Sequence, residues 1–89
     1  MTARYIKHKD LRLTELEGEG VVLHLGTRRY FSVSETGLVI LQALDNPQSF
    51  DDLVARLLDE YEVTESEAVE STREFLDRCL KAKLVLIEQ

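Results

Sequence analysis

The chain has 89 residues, of which 44% are hydrophobic and 31% charged, the composition of a folded protein rather than a disordered one. Eleven Lys and Arg against 17 Asp and Glu leave a net charge of −6, which disfavours nucleic acid and anionic membranes as partners because both attract clustered positive charge. A chain of this length builds one core, so a deep catalytic cleft is disfavoured as well.

The N-terminal part of the chain predicts a three-stranded antiparallel sheet. Residues 1–10 precede this sheet and are expected to be flexible. Residues 11–16 alternate loosely between apolar and polar side chains, and the Gly-containing turn at 17–20 leads into a second apolar strand at 21–25. A third strand is predicted at 29–33, where aromatic and β-branched residues suit a pleated, half-buried surface.

The third predicted strand has no evident partner on its far side. A strand at a sheet edge carries unpaired backbone N–H and C=O groups, so it must be shielded or must accept another strand. Arg28 and Arg29 stand where it begins. They either discourage edge-to-edge aggregation or pair with an acidic residue of an incoming peptide, and both readings stay open. We interpret this strand edge as the functional site of the protein.

Two short helices should follow the sheet. Ser34, or Thr36, can cap the first, whose apolar residues recur at helical spacing until Asn46 and Pro47 end it. Ser49 can cap the second, which carries two aspartates in its first turn, where the helix dipole favours acids.

A longer third helix is predicted to begin after Thr64, where Glu67 completes a capping box, and to run to about Ala82. Its apolar and small residues cover an arc of about 140°, whereas a helix resting on one neighbour needs about 100°. Part of this arc could therefore face a ligand outside the core. Beyond the helix, residues 84–87 form an apolar tail that either packs on the body or adds a brief strand.

Strands followed by three helices indicate an α+β fold of the winged helix-turn-helix type, with a three-stranded antiparallel sheet followed by three helices. We predict a single domain over residues 1–89. This topology often binds DNA, but the acidic third helix would be repelled by phosphate, so a winged-helix regulator is disfavoured.

Neither a catalytic nor a metal-binding constellation is visible in the sequence. His8 and His24 have no Cys or Asp partner at metal-ligand spacing. The single cysteine, Cys79, excludes an internal disulfide and is best interpreted as a small apolar residue. Gly18 and Gly20 are turn glycines rather than part of a phosphate-binding loop. We predict a non-enzyme without cofactor or metal.

The chain also lacks any apolar run near the ~18 residues of a membrane span, and its first ten residues lack the apolar core of a signal peptide. Together with the single cysteine, this predicts a cytoplasmic protein with no membrane partner.

Residues 30–44, YFSVSETGLVILQAL, resemble the characteristic segment of a known family. That family includes pyrroloquinoline quinone biosynthesis protein D and the leader-peptide recognition elements of ribosomally made peptide natural products. The aromatic pair, the Thr-Gly dipeptide and the apolar helix stand in the family's order. The resemblance continues through a helix, a Tyr-x-Val linker, a long helix and a Leu-rich end, and so covers about residues 21–87. Ser34, Leu41 and Lys83 depart from the usual Asn, Trp and Gly.

The chain is most similar to the free-standing recognition protein of lasso-peptide biosynthesis. The resemblance implies a non-catalytic adaptor that binds the leader of a precursor peptide as an added antiparallel strand in the groove between the third strand and the third helix. It would deliver the leader to a separate leader peptidase, a cysteine protease, or to another modifying enzyme. The acidic surface would suit a Lys-rich leader. The nearest alternative is a quinone-type peptide chaperone for a radical enzyme.

The peptide-binding residues that the resemblance implies lie on the third strand and the third helix. They are Arg28, Arg29, Tyr30, Phe31, Ser32, Val33, Ala68, Val69, Thr72, Arg73, Phe75, Leu76 and Cys79.

Overall fold

The computed structural model describes residues 3–88 and has an α+β architecture of two three-stranded antiparallel sheets and three helices. Met1, Thr2 and Gln89, and the part of each prediction that falls on them, lie outside the described residues. In chain order the elements are β1 (Arg4–Lys7), β2 (Leu11–Leu16), β3 (Glu19–His24), β4 (Arg29–Val33), α1 (Glu35–Ala43), β5 (Gln48–Ser49), α2 (Phe50–Glu60), α3 (Glu65–Lys81) and β6 (Val85–Glu88).

One sheet has the strand order β2-β3-β4 and contains the three strands predicted from sequence. Its register places Val22 between Leu13 on β2 and Phe31 on β4. These residues share the inner face, where Val22 is fully buried and the other two are half-buried against the core. Because side chains alternate across a strand, this register also fixes which residues of β4 face outward.

The other sheet, β5-β1-β6, has no counterpart in the predicted fold, which had one sheet only. Strand β1 lies in the N-terminal segment for which the sequence indicates flexibility, and its residues Arg4–Lys7 pair with Val85–Glu88 of β6. The apolar tail therefore adds a strand, which was one of its two predicted roles. A four-residue strand carries little local signal, because its pairing partner lies at the other end of the chain. The winged-helix arrangement stays a prediction.

All three helices begin at the predicted caps. Ser34, rather than Thr36, caps α1, and its Oγ accepts a hydrogen bond from the Gly37 N–H at 3.1 Å. Ser49 and Thr64 cap α2 and α3 in reciprocal capping boxes. Each box satisfies backbone N–H groups that a helix start would otherwise leave unpaired. None of the helices formed by residues 3–88 is long and apolar enough to span a membrane.

The core joins both sheets to all three helices. Its most completely buried apolar side chains include Val22 of the first sheet, Val85 of the second and Ile40, Leu53 and Leu76 of the helices. Since one apolar cluster spans all of these elements, the position of α3 relative to β4 is set by core packing.

Candidate functional site

Strand β4 forms one edge of its sheet, as the sequence predicts. Its backbone pairs with β3 on one side, from Arg29 opposite His24 to Val33 opposite Gly20. Within residues 3–88, no side chain hydrogen-bonds to the β4 backbone, whereas at the other edge Arg12 Nη1 donates to the Leu11 carbonyl on β2 at 2.9 Å. The far side of β4 therefore presents main-chain donors and acceptors from alternate residues.

The two faces of β4 differ in chemistry. Phe31 and Val33 face inward and are half-buried against the core. The Arg29 guanidinium lies 5.7 Å from the centre of the Phe31 ring, within cation–π range. Tyr30, on the outer face, is 72% exposed, and Ser32 beside it is exposed as well. Any strand added at this edge would meet an apolar inner face and a polar outer one.

Arg28 lies in the turn before β4 rather than in the strand. Its φ of 60° is in the left-handed region, and its N–H donates to the His24 carbonyl at 2.7 Å. Both Arg28 and Arg29 are exposed. Arg28 in the turn and Arg29 in the strand therefore both lie at the N-terminal end of the free edge.

Most of the apolar arc of α3 is used by the core. The residues that face inward and are at most 6% exposed are Ala68, Thr72, Phe75, Leu76 and Cys79. The arc is wide because α3 packs against α2 and β6 and also against α1, where Phe75 lies under Gly37. The expected surplus of apolar surface is thus largely taken up by these neighbours.

The remaining two predicted residues, Val69 and Arg73, lie on another flank of α3. Val69 is half-buried, and the Arg73 guanidinium stands 4.9 Å from the centre of the Phe50 ring at the start of α2. Together with Glu70 they line a shallow depression on the surface of α3. The structure therefore separates Val69 and Arg73 from Phe75.

A cleft of about 190 Å³ lies where β4 runs into α1 and faces α3. The chain turns from Val33, the last residue of β4, directly into this cleft at Ser34. Its lining residues are Ser34, Thr36, Gly37 and Ile40 from the α1 side and Ser71, Glu74, Phe75 and Arg78 from α3.

Phe75 is the one lining residue that the sequence-based site prediction contained; on α3 the prediction omitted Ser71, Glu74 and Arg78. Ser71 and Arg78 lie four residues before and three after Phe75, beside it on one face, and Glu74 neighbours both of them at helical spacing. Once Phe75 was assigned to the groove, the helical spacing of these residues from Phe75 and from each other could have identified them as lining residues. A prediction based on the apolar residues of α3 omits these three because they are polar.

The net negative charge of the molecule lies in the segment that forms α2 and α3. Residues 50–81 contain ten Asp and Glu against four Lys and Arg, so this segment carries the whole net charge of −6. At the cleft itself, Arg78 lies 5.8 Å from the centre of the Phe75 ring. Neither Glu74 nor Arg78 forms an ion pair within residues 3–88. The rim therefore presents one free carboxylate and one free guanidinium.

The cysteine and the two histidines of the chain do not line this cleft. Cys79 is 2% exposed, and burial raises the pKa of its thiol to about 12, so it stays protonated at neutral pH. The His8 and His24 rings lie 4.5 Å apart, and His24 Nδ1 accepts a hydrogen bond from the Thr27 N–H. Across residues 3–88, no group of three His, Cys, Asp or Glu side chains is placed to hold a metal ion.

Comparisons with known proteins found one matching family and solved structures of similar fold. The sequence pattern of the family described as coenzyme PQQ synthesis protein D (PqqD) matches residues 19–85. A structure described as TbiB1 in complex with the TbiA(beta) leader peptide is 24% identical, with 90% of this chain and 93% of that chain covered and a TM-score of 0.77. Lasso peptide synthetase B1 complexed with the leader peptide is 20% identical, with 92% and 96% covered and a TM-score of 0.75. No curated protein sequence matches the chain.

Proposed function

The chain belongs to the PqqD family, and from this membership we propose that it binds the leader segment of a ribosomally made precursor peptide by strand addition at β4. One observation carries the proposal: β4 is a free sheet edge that ends in the cleft between α1 and α3. Two solved proteins of similar fold are both described as complexes with a leader peptide, which supports the same ligand here.

Strand addition uses the backbone of β4 for affinity. An extended leader running antiparallel to β4 pairs with its outward N–H and C=O groups, and each such hydrogen bond contributes about 0.5–1.5 kcal/mol net. These bonds are largely independent of the leader's sequence. Selectivity comes from its side chains, which alternate between the inner face, with Phe31 and Val33, and the outer face, with Tyr30 and Ser32.

Among the predicted site residues of α3, Phe75 is the one that lines the cleft, so we assign it direct contact with the leader. Ala68, Thr72, Leu76 and Cys79 support that contact from the core. Val69 and Arg73 are assigned a peripheral role because they lie on the flank beside Phe50. This divides the predicted groove wall into contacting, supporting and peripheral residues.

We assign different roles to Arg28 and Arg29. Arg29 shares the inner face with Phe31 and is placed to contact the C-terminal part of an antiparallel leader. Arg28 belongs to the turn and discourages edge-to-edge pairing with another sheet.

The bound leader is presented to a separate enzyme, which we propose to be the leader peptidase of a lasso-peptide system. The chain itself acts as a non-catalytic adaptor over a single domain, residues 1–89. Its cysteine supports this role, because a buried thiol with a pKa of about 12 is a poor nucleophile.

Titration calorimetry tests the proposal with the synthetic leader of the precursor encoded beside the gene for this chain. We expect saturable binding at micromolar concentration or below, and no binding of the same peptide with its residues scrambled. The amide NMR signals of residues 29–33 and of Phe75 should shift on binding. Absence of binding at high micromolar leader, or shifts confined to β2 or β6, would overturn the proposal.

The family description favours one second candidate, a peptide chaperone for a radical enzyme of quinone-cofactor synthesis. The two candidates predict the same site but different peptides. Binding of a quinone-precursor peptide, in preference to a lasso leader, would support the second. A transcriptional regulator is opposed by the acidity of residues 50–81, so we expect no shift of duplex DNA in a low-salt gel.

A further inference from the structure

We infer that the cleft between α1 and α3 selects a neutral hydrogen-bonding side chain, Ser, Thr, Asn or Gln, at one inward-facing position of the bound peptide. Glu74 and Arg78 are the specificity-determining residues. The inference rests on the proposed function, because the peptide strand beside β4 supplies the side chain that enters the cleft.

The position of the cleft identifies the part of the peptide that it meets. Val33 is the last residue of β4 and faces inward, and the cleft opens at the next residue, Ser34. A strand added to the edge of β4 projects every second side chain to the same face as Val33. In an antiparallel strand, the side chain nearest the cleft belongs to the N-terminal part of the paired segment.

The floor of the cleft is apolar and closely packed. It consists of Ile40, which is fully buried, and Phe75, which is 6% exposed and lies directly under Gly37. The volume of about 190 Å³ is well above the ~10–15 Å³ that a cavity needs to hold one water. It therefore accommodates one side chain of moderate size and a few waters.

The rim of the cleft carries hydrogen-bonding groups of both kinds. The Glu74 carboxylate only accepts, and the Arg78 guanidinium only donates. Ser34 Oγ already accepts from the Gly37 N–H, so its own O–H remains available as a donor. Ser71 and Thr36 add further hydroxyl groups. A hydroxyl or carboxamide of the peptide can satisfy the carboxylate and the guanidinium at once.

A charged peptide side chain at this position is disfavoured for a physical reason. A carboxylate is attracted by Arg78 but repelled by Glu74, and a Lys ammonium experiences the opposite pair of forces. The two Coulomb terms largely cancel, while the cost of removing the charge from water remains. A neutral side chain avoids that cost and still makes charge-assisted hydrogen bonds.

Charge-swap calorimetry tests the inference with the leader encoded beside the gene. Each leader position in the paired segment is replaced in turn by Glu and by Lys, and binding is measured to the wild type, Glu74→Lys and Arg78→Glu. At one inward-facing position we expect both charges to weaken wild-type binding about tenfold. Glu74→Lys should then restore binding of the Glu leader, and Arg78→Glu that of the Lys leader.

Glu70→Lys is the matched control, because it changes the charge equally on the α3 flank that lines the depression with Arg73. It should restore neither charged leader. The contrary outcome is that the wild type binds the unmodified leader while no leader position regains binding of its Glu form with Glu74→Lys and of its Lys form with Arg78→Glu. In that case the cleft does not discriminate side-chain charge, and the inference is overturned. If the wild type binds no leader at all, the proposed function fails instead.

Discussion

Gly37 and Phe75 are in direct contact where α1 crosses α3: a Cβ added to Gly37 would lie 2.6 Å from Phe75 Cε1. Real Cβ atoms do not approach a ring carbon so closely. The missing side chain therefore lets the first turn of α1 rest on the aromatic ring, and this contact forms the floor of the cleft beside β4. The Thr-Gly pair in the sequence thus has a steric role in the site.

Gly37→Ala should lower both stability and leader binding. Alanine favours the helix by about 1 kcal/mol, but forcing a methyl group into this contact costs about 1–3 kcal/mol, so we expect a net loss of about 1 kcal/mol. Denaturant unfolding measures the loss, and calorimetry should show weaker binding because Phe75 must move. Ser71→Ala, at an exposed position of α3, is the control for stability. A Gly37→Ala protein more stable than the wild type would contradict the contact.

Backbone pairing at β4 predicts an alternating sensitivity to N-methylation of the leader. Methyl groups at every second residue remove N–H groups that donate to β4, and each should weaken binding by up to about tenfold. Methylation at the intervening residues should have little effect on hydrogen bonding. Calorimetry with a series of singly methylated leaders provides the measurement, and equal losses at consecutive positions would be incompatible with an added strand.

Phe31→Ala should weaken leader binding by at least about tenfold, because the ring is only partly buried and lies along the proposed inner face. Glu70→Ala should leave binding unchanged. Circular dichroism must show both variants folded, since Phe31 also packs on the core.

Leu76→Ala should act differently, because Leu76 is 2% exposed and belongs to the core. We expect a loss of about 2–5 kcal/mol in the free energy of unfolding. At temperatures where the variant is folded, its leader affinity should be near that of the wild type. A folded Leu76→Ala protein with the binding defect of Phe31→Ala would assign Leu76 to the groove.

Thr72→Val should stabilise the protein. Thr72 is fully buried, and its Oγ1 has no hydrogen-bond partner within residues 3–88. Replacing a buried unsatisfied hydroxyl by a methyl group removes a penalty of about 1–3 kcal/mol, so the midpoint of urea unfolding should rise. Thr14→Val, at an exposed position of β2, controls for the change of residue type. A fall in stability would mean that the hydroxyl is satisfied.

The capping carboxylates predict a loss of stability in acid. Two hydrogen bonds from Thr64, one from its backbone N–H with the larger effect and the other from its hydroxyl, hold the pKa of the Glu67 carboxyl below the ordinary value of 4.5. Hydrogen bonds from Ser49 lower the pKa of Asp52 in the same way. Since both pKa values are depressed on folding, the stabilisation is present above the ordinary values and is lost as the pH falls through the folded ones. The melting temperature should fall between about pH 5 and pH 3, less steeply in Glu67→Gln. Identical profiles would exclude the contribution of Glu67.

Much of the local structure was predictable because it depends on neighbouring residues. Ser34, Ser49 and Thr64 each cap a helix through groups at most three residues away. The alternation of apolar and polar residues located β2, β3 and β4, and the absence of a fourth strand signal beside β4 indicated a free edge. The pairing of β1 with β6 was missed because both strands are short and each depends on a partner at the opposite end of the chain.

The sequence by itself therefore determined the helices, the first sheet, its exposed edge and, through the residues around the Thr-Gly pair, the family. Tertiary structure alone decided which flank of α3 lines the cleft. The helical period defines an apolar arc but not the neighbours that cover each part of it. Packing of Phe75 under Gly37 leaves Ser71, Glu74 and Arg78 beside the end of β4 and directs Val69 and Arg73 elsewhere. That outcome depends on contacts between residues far apart in the chain, which no local pattern records.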